Sequence, residues 1–175
     1  MSSKDMIKPI IVLSIICLVL SGALALTNNV TAPIIEASEK AAAEAARAEV
    51  LPAADGFSQV DGTFGDSVVG VYAADNGAGY VVQILRDGYG GKNTLSVMVG
   101  IDSEGLISAT KVMAHKETPG LGSRVSEPEF GSQFVGKDAS LAGVETISGA
   151  TISSGHFINA VKEAFAAYET AKGVN

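Results

Sequence analysis

Hydrophobic positions are distributed unevenly along the chain, and three patterns follow one another. From Pro9 to Ile35 there is no charged residue, and Ile10 to Leu26 is almost entirely Ile, Leu, Val, Ala, Ser and Gly. About 20 helical residues span the ~30 Å hydrocarbon core of a bilayer, so Pro9 to Asn28 predicts a membrane-crossing helix. Lys4 and Lys8 precede it and the next cation is Lys40. That bias places residues 1–8 in the cytoplasm and everything beyond about Asn29 outside. Pro9 suits the first turn of such a helix. Ala23-Leu24-Ala25 keeps a cleaved signal peptide open as the alternative. Cys17 follows two isoleucines, where a lipid-attachment site wants small residues, and reads as an apolar side chain in the bilayer.

The second pattern, from Ile34 to Leu51, is rich in Ala, Glu and Lys, which are strong helix formers. Glu36 and Lys40 form an i,i+4 pair, and Pro52 ends the run. Residues 29–56 are therefore expected to form a solvated helical stalk. In the third pattern, short β-type runs alternate with Gly/Asp turns: Val68 to Ala74, Gly79 to Leu85, Thr94 to Ile101 and Leu106 to Ala114. These predict an antiparallel sheet. A short helix is expected around Pro128 to Phe134. Phe157, Ile158, Val161, Ala164, Phe165 and Tyr168 recur every three to four residues, an amphipathic helix that would pack on the sheet. The expected architecture is α+β, with one N-terminal transmembrane helix, a stalk and an extracytoplasmic domain over 57–175.

Composition narrows the function. The 175 residues carry 19 acids and 12 bases, a net charge of −7. Nucleic acid is disfavoured, because phosphate would repel so acidic a chain and its few cations are not clustered. One cysteine rules out an internal disulfide, a thiolate zinc site or an iron–sulfur cluster held by this chain alone. G-x-S-x-G, H-E-x-x-H and P-loop motifs are all absent. With Lys4, Asp5 and Lys8 set aside, 18 acids and 10 bases leave the outer part at −8.

Two stretches stand out. Ser148-Gly149-Ala150-Thr151 runs through Ser153 and Ser154 into the last helix. Backbone N–H groups and the positive end of a helix dipole would there face a threonine hydroxyl, an arrangement suited to phosphate. Capping of the helix by Ser153 or Ser154 is the plainer alternative. In His115-Lys116-Glu117-Thr118-Pro119-Gly120-Leu121-Gly122, a stiff Pro-Gly loop can approach a flat ligand closely, with Glu117 and Thr118 offering polar contacts. An ordinary surface turn is the alternative. Gly88-Tyr89-Gly90-Gly91 lies between strands, which argues against a dinucleotide fingerprint.

In this order, the N-terminal anchor, the Gly88-Tyr89-Gly90-Gly91 loop, the H-x-E-T-P-G-L-G loop and S-G-A-T followed by a helix resemble the FMN-binding domain of the G subunit of the Rnf complex. That complex is the membrane ferredoxin:NAD oxidoreductase. The C subunit of the sodium-pumping NADH:quinone oxidoreductase is a relative, usually with a longer domain. The resemblance covers nearly the whole chain.

It implies FMN joined to Thr151 through a phosphoester, attached by a separate flavin transferase that uses FAD. Ser148, Gly149 and Ala150 would surround the attachment point. The loop His115, Glu117, Thr118, Pro119, Gly120, Leu121 and Gly122 would line the isoalloxazine, with Tyr89 a weaker candidate. The implied role is electron relay as part of a redox-driven ion translocase, with no catalytic acid or base and no metal in this chain. The other Rnf subunits would be its membrane partners. Three further readings stay open: a stand-alone secreted or anchored flavoprotein, the C subunit of the sodium-pumping NADH:quinone oxidoreductase, and a binding module without flavin.

Overall fold

The computed structural model describes residues 3–173. Met1 and Ser2, in the segment expected to face the cytoplasm, and Val174 and Asn175, at the end of the expected domain, lie outside the described residues. The chain divides into two compact units, Met1–Ala42 and Ala43–Asn175.

The described residues of the first unit are helical and belong to α1 (Ser3–Val50), which contains both Pro9 and Pro33. The sequence places a helix on either side of Pro33, and the structure carries one through it. Proline there lacks the N–H that would bond the carbonyl four residues back. Its apolar side chains from Ile10 to Ile35 are exposed, and the segment is long and apolar enough to cross a membrane. Thr27 and Thr31 donate their hydroxyls to the carbonyls of Ala23 and Thr27, at 2.9 and 3.0 Å. Such i−4 bonds give each hydroxyl a partner within its own helix.

The second unit is built on one antiparallel sheet in the order β1 (Phe57–Gln59), β2 (Val68–Ala74), β3 (Gly79–Gly88), β4 (Gly91–Asp102) and β5 (Ile107–His115). Four of these strands are the runs read from alternation. β1 adds a fifth: three residues too short to show a period, paired on the outer edge of β2. Beyond β5 come a 3₁₀ turn (Gly122–Ser126), a short helix α2 (Pro128–Ser132) and the long helix α3 (Thr151–Lys172).

Both faces of the sheet are covered. On one, Val82, Ile84, Leu95, Val97, Val99 and Ile101 meet Phe157, Val161, Ala164 and Tyr168 of α3. Phe130, Phe134 and Phe157 close this core with ring centroids 5.1–5.5 Å apart. On the other face, Val81 and Met98 pack with Ala46, Val50 and Leu51. This explains why β4 reads as an almost unbroken apolar run from Leu95 to Ile101, the pattern of a strand buried on both sides.

It also corrects one expectation. Residues 43–50 are not a solvated stalk: Ala46 and Val50 are 1% exposed, Arg47 stacks 4.2 Å from the Tyr72 ring, and Glu49 pairs with Lys111. Ala and Glu favour a helix wherever it lies, so composition carries no sign that this end has a buried stripe.

Candidate functional site

Three loops meet at one end of the sheet, beside the start of α3. The first is the β3–β4 hairpin, where Gly88 pairs with Gly91 and leaves Tyr89-Gly90 as the turn. Thr94 locks it by accepting the Gly88 N–H at 3.1 Å and donating to the Gly91 carbonyl at 2.8 Å. The second is the segment after β5. Its entry is held by the Lys116 N–H, which donates to the Thr94 carbonyl at 2.9 Å. Thr118-Pro119-Gly120-Leu121 then closes a tight turn, with the Leu121 N–H donating to the Thr118 carbonyl at 3.2 Å. Gly120 has φ +72°, so proline and glycine occupy the two positions that a type II turn prescribes.

The third loop repeats that device. The Ala150 N–H donates to the Ile147 carbonyl at 2.9 Å, and Gly149 between them has φ +81°. The glycine of S-G-A-T is thus required by backbone shape, because a side chain is disfavoured at this φ. α3 begins at Thr151 directly afterwards, and no side chain caps it. Neither serine offered as a cap takes that role. Ser153 donates to Glu117, while Ser154 accepts from the Ile147 N–H at 3.0 Å and donates to the Ala150 carbonyl at 2.8 Å. The N–H groups of Thr151, Ile152 and Ser153 have no i−4 carbonyl inside the helix.

The loops enclose a cleft of about 430 Å³ lined by Tyr89, Thr118, Leu121, Gly122, Gly149, Ala150, Thr151, Ile152 and Ser153. Its size lies within the range of small-molecule and cofactor pockets. Thr151 is exposed, and Tyr89, Leu121 and Ile152 expose 64%, 47% and 57% of their surface. Three large apolar side chains left open around one cleft suit a flat, largely apolar ligand. The uncapped helix start suits an anion. Both halves of FMN, ring system and phosphate, therefore find matching chemistry here.

Seven residues singled out in the sequence line this cleft together: Tyr89, Thr118, Leu121, Gly122, Gly149, Ala150 and Thr151. Five do not line it. Ser148, Pro119 and Gly120 are exposed turn residues. His115 ends β5, and its Nδ1 accepts the Glu117 N–H at 3.3 Å. Glu117 lies behind the cleft, 5% exposed, accepting the Tyr89 N–H at 2.9 Å and the Ser153 hydroxyl. Ile152 and Ser153 join the lining without having been expected there, although their place just after S-G-A-T is the available signal. Among the described residues, no group of three or more His, Cys, Asp or Glu side chains could hold a metal.

Residues 88–166 match the FMN-binding domain family, and residues 1–50 match the RnfG N-terminal region. The chain is 36% identical over 178 residues to the G subunit of the ion-translocating oxidoreductase complex of Methanosarcina acetivorans, covering 93% of this chain and 94% of that one. It is 34% identical over 152 residues to the G subunit of the Na(+)-translocating ferredoxin:NAD(+) oxidoreductase complex of Acetobacterium woodii, covering 78% and 72%. Against the G subunit of the proton-translocating ferredoxin:NAD(+) oxidoreductase complex of Clostridium ljungdahlii, identity is 28% over 165 residues, covering 87% and 85%.

Proposed function

From the premise that this chain belongs to the family of G subunits of ion-translocating ferredoxin:NAD(+) oxidoreductase (Rnf) complexes, we propose that it relays electrons through FMN joined covalently to Thr151. An FMN-binding domain in an electron-transferring, ion-translocating complex follows from the family. The covalent link, its residue and its maturation are our reading.

The observation that carries it is the position of Thr151. Its side chain is exposed in the cleft, on the first residue of an uncapped helix. A phosphate on its Oγ1 would sit beside backbone N–H groups and the helix dipole. The Thr151 hydroxyl would attack the FMN-side phosphorus of FAD in a flavin transferase. A new O–P bond forms, the pyrophosphate bond breaks, AMP leaves, and the hydroxyl proton is lost. Covalent attachment suits a domain outside the cytoplasm, where a dissociated cofactor is not readily recovered.

Bound FMN supplies the electron-carrying chemistry, and the protein supplies position and polarity. Thr118, Leu121 and Gly122 would face the isoalloxazine from one loop, Tyr89 from another and Ile152 from the helix. Ser148, Pro119 and Gly120 shape the turns, His115 steadies the entry to its loop, and Glu117 acts from behind. No acid or base in this chain need take part.

In this reading residues 1–8 are cytoplasmic, 9–28 cross the membrane, and the chain beyond is extracytoplasmic. The FMN-binding domain occupies 57–175, with the end of α1 packed beneath its sheet. The other Rnf subunits are its partners in electron transfer. The names of its relatives include both Na⁺ and proton translocation, so the ion is a property of the whole complex.

The test is co-expression of the full chain with an FAD-dependent flavin transferase, followed by denaturing electrophoresis. The wild-type band should fluoresce as flavin, and Thr151→Ala should be dark. A dark wild-type band, or a fluorescent Thr151→Ala band, overturns the assignment.

A further inference from the structure

We propose that Glu117 is the positioning residue of the flavin cleft: its buried carboxylate clamps the β3–β4 turn to the first turn of α3, and so sets Tyr89 relative to Thr151. The inference rests on the reading that the flavin is carried at Thr151.

The two walls of the cleft come from segments more than fifty residues apart in the chain. Among the described residues, one side chain bonds to both. Glu117 Oε1 accepts the Tyr89 N–H at 2.9 Å, and Oε2 accepts the Ser153 hydroxyl. Each oxygen serves one wall, so neither contact can be lost without releasing a wall.

The surroundings are shaped to house this carboxylate. A Cβ on Gly122 would stand 2.7 Å from Oε2 and 2.6 Å from Ser153 Oγ, closer than real Cβ atoms come. A Cβ on Gly88 would overlap Oε1. Two segments are therefore bare where the carboxylate lies. Among the described residues, no Lys, Arg or His forms an ion pair with it. Burying a carboxylate without a cation is costly and is tolerated only where hydrogen bonds compensate. Here both compensating donors belong to the cleft walls.

Glu117→Gln and Glu117→Ala separate clamping from charge. The glutamine amide can still accept the Tyr89 N–H through its oxygen and donate to Ser153 Oγ through its nitrogen, whereas alanine offers neither bond. Two measurements on the full chain decide the matter: amide hydrogen exchange at Tyr89 in flavin-free protein, and the visible circular dichroism of the flavin after loading by the transferase. Expected are several-fold faster Tyr89 exchange and a weakened flavin dichroic band in Glu117→Ala, with both near wild type in Glu117→Gln.

If Glu117→Ala does not fold, Ser153→Ala releases the α3 side alone and should weaken the dichroic band while Tyr89 stays protected. Wild-type exchange and dichroism in Glu117→Ala, or wild-type dichroism in Ser153→Ala, overturns the proposal. A wild-type chain that takes up no flavin instead overturns the reading of Thr151. In that case Tyr89 exchange in flavin-free protein still tests the clamp, supporting it if faster in Glu117→Ala and refuting it if unchanged.

Discussion

Ser154, buried in the first turn of α3, accepts the backbone N–H of Ile147 at 3.0 Å, while the same hydroxyl donates to the carbonyl of Ala150 at 2.8 Å. One side chain thus closes the Ile147–Ala150 turn against the helix that follows it, and Thr151 sits at the junction. Ser154→Ala leaves the Ile147 N–H without this partner, which should cost about 1–3 kcal/mol. Denaturant unfolding measures that loss. Covalent flavin loading should also slow, because the acceptor threonine is no longer held in one place. Equal stability and equal loading rate would mean the bond is incidental.

Gly149→Ala tests the backbone on the other side of Thr151. The space around Gly149 admits a methyl group, since a Cβ there would meet only Leu121 Cδ1 at 3.4 Å, an ordinary contact. The obstacle is the φ of +81°. A left-handed conformation costs an L-residue about 1–2 kcal/mol. The variant should be destabilised by that much or shift its turn, and both outcomes reduce the rate at which Thr151 is flavinylated. A variant as stable and as quickly loaded as wild type would show that the turn does not need glycine.

On the opposite face of the sheet, Gly100 lies directly under the Val50 carbonyl, and a Cβ at Gly100 would overlap that oxygen. The neighbouring Ser108 hydroxyl donates to the same carbonyl. Gly100→Ala should therefore push the end of α1 off the sheet at a cost of about 1–3 kcal/mol, as overpacking typically does. Leu51→Ala, which empties a site only 1% exposed, should cost about 2–5 kcal/mol. Both are read from thermal or denaturant unfolding of the full chain in detergent. If neither substitution moves the transition, residues 43–51 are not part of the domain's core.

Asp138 gives the domain a defined acid dependence. Its Oδ1 accepts the Ser140 hydroxyl at 2.6 Å and the Ser140 N–H at 3.0 Å. Those two bonds hold its carboxyl below the usual carboxylate value, with nearby Lys137 adding to the effect. A carboxyl whose pKa is lower folded than unfolded stabilises the fold above the unfolded value, and this contribution is lost as pH falls through the folded one. Asp138→Asn should thus be less stable than wild type near neutral pH, and the gap should close as the medium becomes acidic. A gap that is constant with pH would assign the effect to shape instead of charge.

How legible the molecule is in its sequence can be judged residue by residue. β2 to β5 are visible because short β-type runs are set off by Gly and Asp turns. β1 is not, since Phe57–Gln59 is held by pairing with β2 and carries no periodic signature of its own. The stripe of Ala46, Val50 and Leu51 is hidden in an Ala-rich helix that would read the same whether solvated or packed. At the site, Thr151 and the Thr118–Gly122 loop are recognisable from small-residue and Pro-Gly motifs. From sequence the motif residue Glu117 reads as a contact with the ligand. Its position behind the wall depends on where Tyr89 and Ser153 lie in space.

By itself the sequence determined what is local in the chain. It specified a long uncharged apolar run, β-type runs set between Gly/Asp turns, a helix preceded by S-G-A-T, and a negative domain without the cysteines to hold an iron–sulfur cluster. Such properties depend on neighbours one to four residues apart, through backbone preference and periodicity. Only the tertiary structure decided which distant segments share a wall. It placed the β3–β4 turn and the start of α3 on either side of one buried carboxylate, and laid the end of α1 beneath the sheet. Those placements follow from burying two apolar faces while giving partners to polar groups trapped between them, such as the Glu117 carboxylate. That condition applies to the folded chain as a whole, and no short stretch of it carries the answer.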